Sequence, residues 1–218
     1  MDKSEVLKRL KARANPENVV GMARFGINSN NTLGFSIPYL RELAKEIGKN
    51  HNLALELWDS KIHEARILSA FIDDPKLVTS KQMDDWVNDF DSWDVCDQVI
   101  SNLFDETPFA YEKINVWCNK KEEFVRRSGF VMMAALAVHD KTLSDEKFKS
   151  LFPLIKKYST DDRNFVKKAV NWALRQIGKR NKKLLKYALD FAKEIRRMDS
   201  KSAKWIASDA IRELTKKS

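Results

Sequence analysis

The chain has 218 residues, 43% of them hydrophobic, so it can bury one generous core or two small ones. Six Gly and five Pro are few for this length, and that composition favours helices. The formal net charge of +9 is unevenly spread, because residues 1–109 carry 13 Lys and Arg against 18 Asp and Glu (net −5), whereas residues 110–218 carry 27 against 13 (net +14).

These features exclude several classes of protein. No apolar run approaches the length needed to cross a bilayer, and the N-terminus lacks a signal-peptide pattern, so we expect no membrane partner. Cys96 and Cys118 have no Cys or His at metal-ligand spacing, and His51, His63 and His139 are scattered. We therefore expect reduced thiols, a cytoplasmic location, no metal and no cofactor.

Helical periodicity and capping residues run along the whole chain, and no strand-like alternation persists. In the first half we predict helices over residues 2–14, 15–25, 36–48, 51–60, 62–72, 80–90 and from 92 onward, with a loop over 26–35. In the second half we predict helices over residues 107–119, 122–138, 144–158, from Asp161 or Asp162 to about 178, 181–197 and 200–215.

One internal echo indicates repeats. Residues 124–131 (FVRRSGFV) align with residues 165–172 (FVKKAVNW) at an offset of 41, and residues 62–68 resemble both weakly. Helix pairs of 40–47 residues are typical of HEAT-like repeats, so we predict an all-α solenoid with a concave basic groove, forming one domain over 1–218. Stacking would then align Arg66, Arg127 and Lys168 in a row of positive charge; a chance echo between amphipathic helices is the alternative.

The stretch from Asp91 to Ile100 reads as a helix start. Ser92 is a plausible N-cap, and Trp93 and Asp97, four residues apart, share a face. The pattern displays an aromatic ring and a carboxylate side by side. The plainer interpretation is a core Trp beside a solvated Asp.

Two further positions could meet this pair in one surface, namely Arg127 and Trp172. Trp172 lies in a predicted helix that is rich in apolar residues, but its neighbours include Asn171 and Arg175. A lone Trp in such a helix is usually core. That is the interpretation we give to the remaining tryptophans, namely Trp58, Trp86, Trp117 and Trp205.

From about residue 20 to 215, the sequence resembles the AlkD-type alkylpurine DNA glycosylases, DNA alkylation repair enzymes built from HEAT-like repeats. The resemblance rests on Trp93-Asp-Val-Cys-Asp97, on Arg127 in Val-Arg-Arg-Ser, and on Lys-Ala-Val-Asn-Trp172-Ala-Leu-Arg175. The last match is the most specific. The segment 34–38 resembles a family loop, but Ser36 stands where a longer polar residue can occur, and the first helix pair matches poorly.

The resemblance implies a DNA glycosylase that excises positively charged N3- or N7-alkylated purines from duplex DNA. It implies that Asp97 is the catalytic carboxylate, that Trp93 and Trp172 face the lesion, and that Arg127 holds a phosphate. Arg175 matches a family Arg in the same groove, and Lys168, Arg66 and Ser36 are further candidate DNA contacts. We expect a monomer that associates with the nucleoid when bound to DNA, without a deep pocket for a flipped base.

Chemistry agrees with these assignments. A purine alkylated at N3 or N7 already carries positive charge and leaves without a general acid, so a carboxylate that stabilises the oxocarbenium-like sugar and the water suffices. Two alternatives stay open: a non-catalytic relative that binds branched or damaged DNA, and a protein-binding HEAT scaffold. Helical phase alone does not decide between Arg126 and Arg127 as the phosphate ligand.

Overall fold

The computed structural model describes residues 1–216, and within that range the chain is helical and contains no strand. Its internal contacts divide it into two compact units, Met1–Thr107 and the residues from Pro108 onward. The all-α prediction is confirmed. The prediction of one domain over 1–218 is not tested by this division, and its last two residues lie outside the described residues.

The first unit consists of seven helices and a closing 3₁₀ turn over the described residues. They are α1 (Lys3–Lys11), α2 (Pro16–Arg24), α3 (Ile37–Ile47), α4 (His51–Trp58), α5 (His63–Ile72), α6 (Ser80–Asn88), α7 (Trp93–Asn102) and the turn Phe104–Glu106. Capping side chains fix several starts, since Asp2, Asn15, Asn50 and Thr79 each accept an N–H from the first turn of their helix. The core includes Trp58 and Trp86, whose rings stack at 4.0 Å.

The second unit consists of seven more helices in its described part. They are α8 (Ala110–Cys118), α9 (Glu123–His139), α10 (Asp145–Lys149), α11 (Phe152–Tyr158), α12 (Asn164–Lys179), α13 (Lys182–Ile195) and α14 (Lys201–Thr215). Helix α9 is buried on most sides and packs along α8 and α12. It is therefore the central helix of this unit.

The prediction of one helix over 144–158 is wrong, because the chain breaks between α10 and α11. Pro153 has no N–H to donate to the carbonyl four residues earlier, so the helix cannot run through it. The Ser150 hydroxyl also donates to Lys147 O at 2.8 Å and closes the first segment. The change of direction is local, and Phe148 and Phe152 remain buried on either side of it.

The repeat offset seen in the sequence is present in the packing of the second unit. The rings of Phe124 and Phe165, the first members of the echo, lie 5.5 Å apart. Hydrogen bonds repeat this spacing, from Arg163 Nη1 to Lys121 O and from Ser202 Oγ to Asp161 O. In the first unit, two corresponding bonds join residues 31 apart, Trp58 with Asp89 and His63 with Asp94.

The helix positions give Arg66 other counterparts than Arg127 and Lys168, and the predicted row of these three residues stays a prediction. Counted from the helix starts, Arg66 is the fourth residue of α5 and corresponds to Arg126 in α9 and Lys167 in α12. All three cations lie over aromatic rings, at 4.8 Å from Trp58, 4.3 Å from Tyr158 and 5.1 Å from Trp205 respectively. At this shared helix position, a cation therefore packs on an aromatic ring of a neighbouring helix.

Trp58, Trp86 and Trp117 are buried as predicted, but Trp205 is 42% exposed, so its assignment to the core is wrong. Its ring lies beneath the Lys167 ammonium on the surface. A hydrophobic pattern gives the orientation of a helix, but it does not reveal whether the next element covers that face.

Candidate nucleic-acid interface

The start of α7 is built by a buried carboxylate. Ser92 takes the N-cap position, but its hydroxyl donates to Asp94 Oδ1 at 2.7 Å and makes no capping bond to the backbone. The same oxygen accepts the N–H of Val95 at 3.0 Å. Asp94, which is 9% exposed, thus performs the capping that the sequence suggested for Ser92.

Trp93 and Asp97 lie on the part-exposed face of this helix. Both are half-buried, while Val95, Cys96 and Val99 between and below them are fully covered. The indole Nε1 of Trp93 donates to the carbonyl of Phe25 at 3.1 Å, which ties the ring to the end of α2. The predicted side-by-side display of an aromatic ring and a carboxylate is therefore a feature of the folded first unit.

A shallow hollow of about 510 Å³ adjoins Trp93. Its wall includes Met22, Phe25, Phe35 and Ser36, so Ser36 and Trp93 are brought to the same surface. Ser36 is exposed and begins α3 without a side-chain capping bond, which leaves its hydroxyl at the rim. Phe25 is 75% exposed, an unusual degree for so large an apolar side chain.

Behind α7, His63 forms a buried pair with Asp94. Its Nε2 lies 2.8 Å from Asp94 Oδ2, and the imidazole is 5% exposed. Burial works to lower the pKa of His63, but the hydrogen bond and charge of Asp94 outweigh it, so the pKa is raised. Burial would raise the pKa of Asp94, yet the bonds from His63 and Ser92 lower it. The pair is therefore held in its charged form.

In the second unit, Arg126 and Arg127 have different partners. Arg126 donates to Cys118 O at 3.1 Å and to Asp161 Oδ2 at 2.7 Å, and its guanidinium covers Tyr158. Arg127 is 5% exposed and donates from Nη1 to Phe165 O at 2.6 Å, at the first turn of α12. Arg126 therefore has a structural role and bonds α9 to its neighbouring segments. Arg127 is held beside the start of α12.

Lys168, Trp172 and Arg175 form one stripe of α12, which we call the α12 stripe. Their spacing of four and then three residues keeps them on a single face. Lys168 is exposed and the other two are half-buried, whereas the opposite face is buried through Val166, Ala169, Val170, Ala173, Leu174 and Ile177. The predicted lesion-facing aromatic and its neighbouring cations therefore lie on the accessible side of this helix.

Arg175 is not a simple cationic contact. It is paired with Glu213, which also pairs with Lys179, and its Nε lies 3.8 Å from Asp209 Oδ2. These carboxylates on α14 neutralise part of its charge. The stripe therefore loses positive charge from Lys168 towards Arg175.

Arg66 is occupied within the first unit. It donates to the carbonyl and to the carboxylate of Asp89 at 3.0 and 3.1 Å, and it is 7% exposed. A buried guanidinium held by a carboxylate offers little to a phosphate. Arg66 is therefore left out of the interface that we assign below.

Sequence reasoning missed His63 and Glu64, the first two residues of α5. Both are buried and both hold loops or helix starts about 30 residues away in the chain. The local sequence pattern around residues 63 and 64 does not predict hydrogen bonds to such distant residues. One indirect signal exists, in that His and Glu side by side at a helix start are costly to bury without partners.

The charge asymmetry of the sequence coincides with the division of the fold. The net −5 belongs to Met1–Thr107 and the net +14 to the residues from Pro108 onward, because residues 108 and 109 are uncharged. Helices among the described residues also lack the length and apolar character that crossing a bilayer requires. No group of three or more His, Cys, Asp and Glu in residues 1–216 could hold a metal ion.

Comparison with known proteins adds two findings. A family model described as DNA alkylation repair enzyme matches residues 6–214. One solved structure superposes with a TM-score of 0.81 at 20% sequence identity, covering 98% of this chain and 96% of that one. It comes from work on a new family of proteins related to the HEAT-like repeat DNA glycosylases, with affinity for branched DNA structures. The likeness confirms the HEAT-like fold. A comparison with curated protein sequences finds no match.

Proposed function

Because the chain belongs to the DNA alkylation repair enzyme family, we propose that it is a DNA glycosylase that excises positively charged N3- and N7-alkylated purines from duplex DNA. It acts as a monomer and leaves an abasic site. The observation that carries the proposal is the start of α7, where Trp93 and Asp97 share the part-exposed face while the neighbouring Asp94 is buried and bonded. Of the carboxylates on this helix start, Asp97 has the access that a reaction needs.

The reaction follows from the charge of the substrate. When the glycosidic bond breaks, its electron pair neutralises the alkylated purine, and positive charge passes to C1′ of the sugar. The Asp97 carboxylate stabilises that charge and accepts a proton from the water that attacks C1′. The products are the free base, an abasic sugar and one proton.

Trp93 and Trp172 are assigned to the lesion. An aromatic face attracts a cationic base or the positive edge of its sugar, with about 0.5–2 kcal/mol from each ring. Trp93 is held by its bond to Phe25 O, and Trp172 by the buried face of α12. Rings that are fixed before the substrate arrives lose little entropy on binding.

Arg127, Lys168, Arg175 and Ser36 are assigned to the DNA backbone. Arg127 is 5% exposed and bonded to Phe165 O, so its guanidinium has to turn outward to hold a phosphate of the lesion strand, whereas Lys168 is an exposed point charge. Arg175 has a smaller part because Glu213 competes for its guanidinium. The Ser36 hydroxyl is the remaining donor, at the rim of the hollow beside Trp93.

Base release from a duplex carrying one N7-methylguanine tests the proposal. The control duplex carries O6-methylguanine, an alkylated base without a positive charge. We expect release of the cationic base only, because the neutral base is a much poorer leaving group. No release of N7-methylguanine or N3-methyladenine by the wild-type protein would end the proposal.

A second function has one specific observation in its favour, namely the superposed structure, which comes from a family described as having affinity for branched DNA structures. Under that alternative the protein binds junctions without cutting a glycosidic bond. Anisotropy titrations of a four-way junction and of a duplex with the same sequences separate the two. Tight junction binding without base release supports the alternative, while preferential excision supports the glycosylase.

A further inference from the structure

The geometry points to His63 and Glu64 as positioning residues. From the first turn of α5, they fix both the start of the helix that carries Trp93 and Asp97 and the loop that leads to Ser36. Their part in excision rests on the function proposed above. Their part in placing Trp93 is independent of that function, and it can be measured without DNA.

His63 acts on the helix start. Its Nε2 engages one oxygen of Asp94 at 2.8 Å, while the other oxygen of that carboxylate binds the hydroxyl of Ser92 and the N–H of Val95. Both carboxylate oxygens are thus occupied, and residues 92–95 are tied to α5. The backbone N–H of His63 also donates to Asn31 O at 3.0 Å, so the same residue holds the loop before α3.

Glu64 bonds directly to that loop. Its carboxylate, which is 1% exposed, accepts the successive N–H groups of Leu33, Gly34 and Phe35 at 2.7–3.2 Å. Gly34 has φ +87°, and a Cβ there would lie 2.3 Å from Asn15 O, so the loop conformation requires glycine. The loop is therefore shaped around a buried charge, and it delivers Ser36 to the rim of the hollow.

These ties converge on the side chains that the proposed function uses. Trp93 lies between the tied residues Ser92 and Asp94, and Asp97 follows one turn later. A displacement of about 1 Å in a reacting group can cost 10²-fold in rate, so loss of the pair is expected to reduce kcat more than KM.

The chain offers a matched control in the same unit. His51 forms a second His–Asp pair, with Nδ1 lying 2.6 Å from Asp73 Oδ1, and this pair lies at the start of α4 rather than α7. His51→Leu breaks a pair of the same chemistry elsewhere. His63→Leu and His51→Leu therefore separate positioning from a general loss of stability.

The first measurement is acrylamide quenching of tryptophan fluorescence without DNA, with the Trp93 signal taken as the difference between each protein and its Trp93→Phe partner. We expect the Trp93 quenching constant to rise about twofold or more in His63→Leu and to stay unchanged in His51→Leu. If His63→Leu does not fold, His63→Gln is used, with a smaller rise expected. An unchanged constant in the folded variant overturns the proposal.

The second measurement is single-turnover excision of N7-methylguanine by the same variants. We expect a fall of about tenfold to 10²-fold in the rate constant for His63→Leu, partial rescue in His63→Gln, and less than a twofold change in His51→Leu. A rise in quenching with an unchanged rate overturns the role in excision. A rise in quenching with a wild-type protein that releases no base supports the positioning and rejects the glycosylase.

Discussion

Asp94 and Asp97 lie three residues apart in α7 and have different surroundings. Burial works to raise the pKa of Asp94, but the hydrogen bonds from His63 and Ser92 and the charge of His63 outweigh it, so the pKa is lowered and Asp94 is a structural anion. Asp97 is half-buried on the face it shares with Trp93. The spacing of Trp93 and Asp97 predicted the face that they share, and the catalytic role of Asp97 stays a proposal. The sequence could not identify the role of Asp94, because the partner of Asp94 lies 31 residues earlier in the chain.

The buried pair makes stability depend on pH in a defined window. The pKa of His63 in the folded protein is raised above 6.5. Its contribution to the free energy of unfolding is therefore complete below pH 6.5 and is lost as the pH rises through the folded pKa. The folded pKa of Asp94 is below 3.8, so its contribution is complete above 3.8 and is lost as the pH falls through the folded value. The pair should thus contribute most between about pH 4 and 6.5.

Urea unfolding of the wild-type protein and His63→Gln across pH 4–9 tests this window. We expect the difference in the free energy of unfolding to be largest near pH 5–6 and to shrink towards pH 9. Asp94, Glu64 and Asp91 are the negative charges that act on the imidazole. A difference that grows with rising pH would contradict the charged pair.

Lys168 is the exposed cation of the α12 stripe, and its removal should weaken DNA binding without altering sequence preference. We expect Lys168→Ala to reduce the slope of log K against log salt concentration by about one, because one phosphate contact is lost. Lys186→Ala, which removes an exposed lysine from α13, serves as the control. Equal salt slopes for Lys168→Ala and the wild type would remove Lys168 from the interface.

At the scale of elements, the helices of this chain were largely predictable because capping residues and periodicity are local. As predicted, Asn15-Pro16 lies at the start of α2 and Gly48 lies at the end of α3. The break near Pro153 also has a local cause, the missing N–H of proline, which the prediction of one helix over 144–158 overlooked. The position of Arg66 over the ring of Trp58 was not predictable in the same way, because it depends on a neighbouring helix.

Gly129 permits a close approach of α8 and α9 in the second unit. A Cβ at this position would lie 2.5 Å from Cys118 Sγ and 2.8 Å from Cys118 N, so α8 and α9 would have to separate. We expect Gly129→Ala to lower the free energy of unfolding by about 1–3 kcal/mol in urea denaturation. Gly21→Ala in α2 is the control, since a Cβ there meets nothing within 4 Å. It should be neutral or stabilising by up to about 1 kcal/mol. Equal changes in the free energy of unfolding for Gly129→Ala and Gly21→Ala would contradict the close approach of α8 and α9.

At the scale of the whole molecule, an acidic unit and a strongly basic unit share one chain. The first unit holds Trp93, Asp97 and the hollow beside Trp93, and the residues from Pro108 onward carry the excess of positive charge. A basic half of this size is typical of a protein whose partner carries phosphates. The sequence already shows where the charge changes sign, and the fold adds that this change coincides with the unit boundary at Thr107.

The central claim is that the Asp97 carboxylate acts in the reaction, and single-turnover excision of N7-methylguanine by Asp97→Asn tests it most directly. Asp85→Asn removes an exposed carboxylate from α6, another helix of the same unit, and serves as the control. We predict a loss of about 10²-fold or more in the rate constant for Asp97→Asn, with DNA affinity within a few-fold of wild type and Asp85→Asn unchanged. Excision by Asp97→Asn at the wild-type rate would contradict the account.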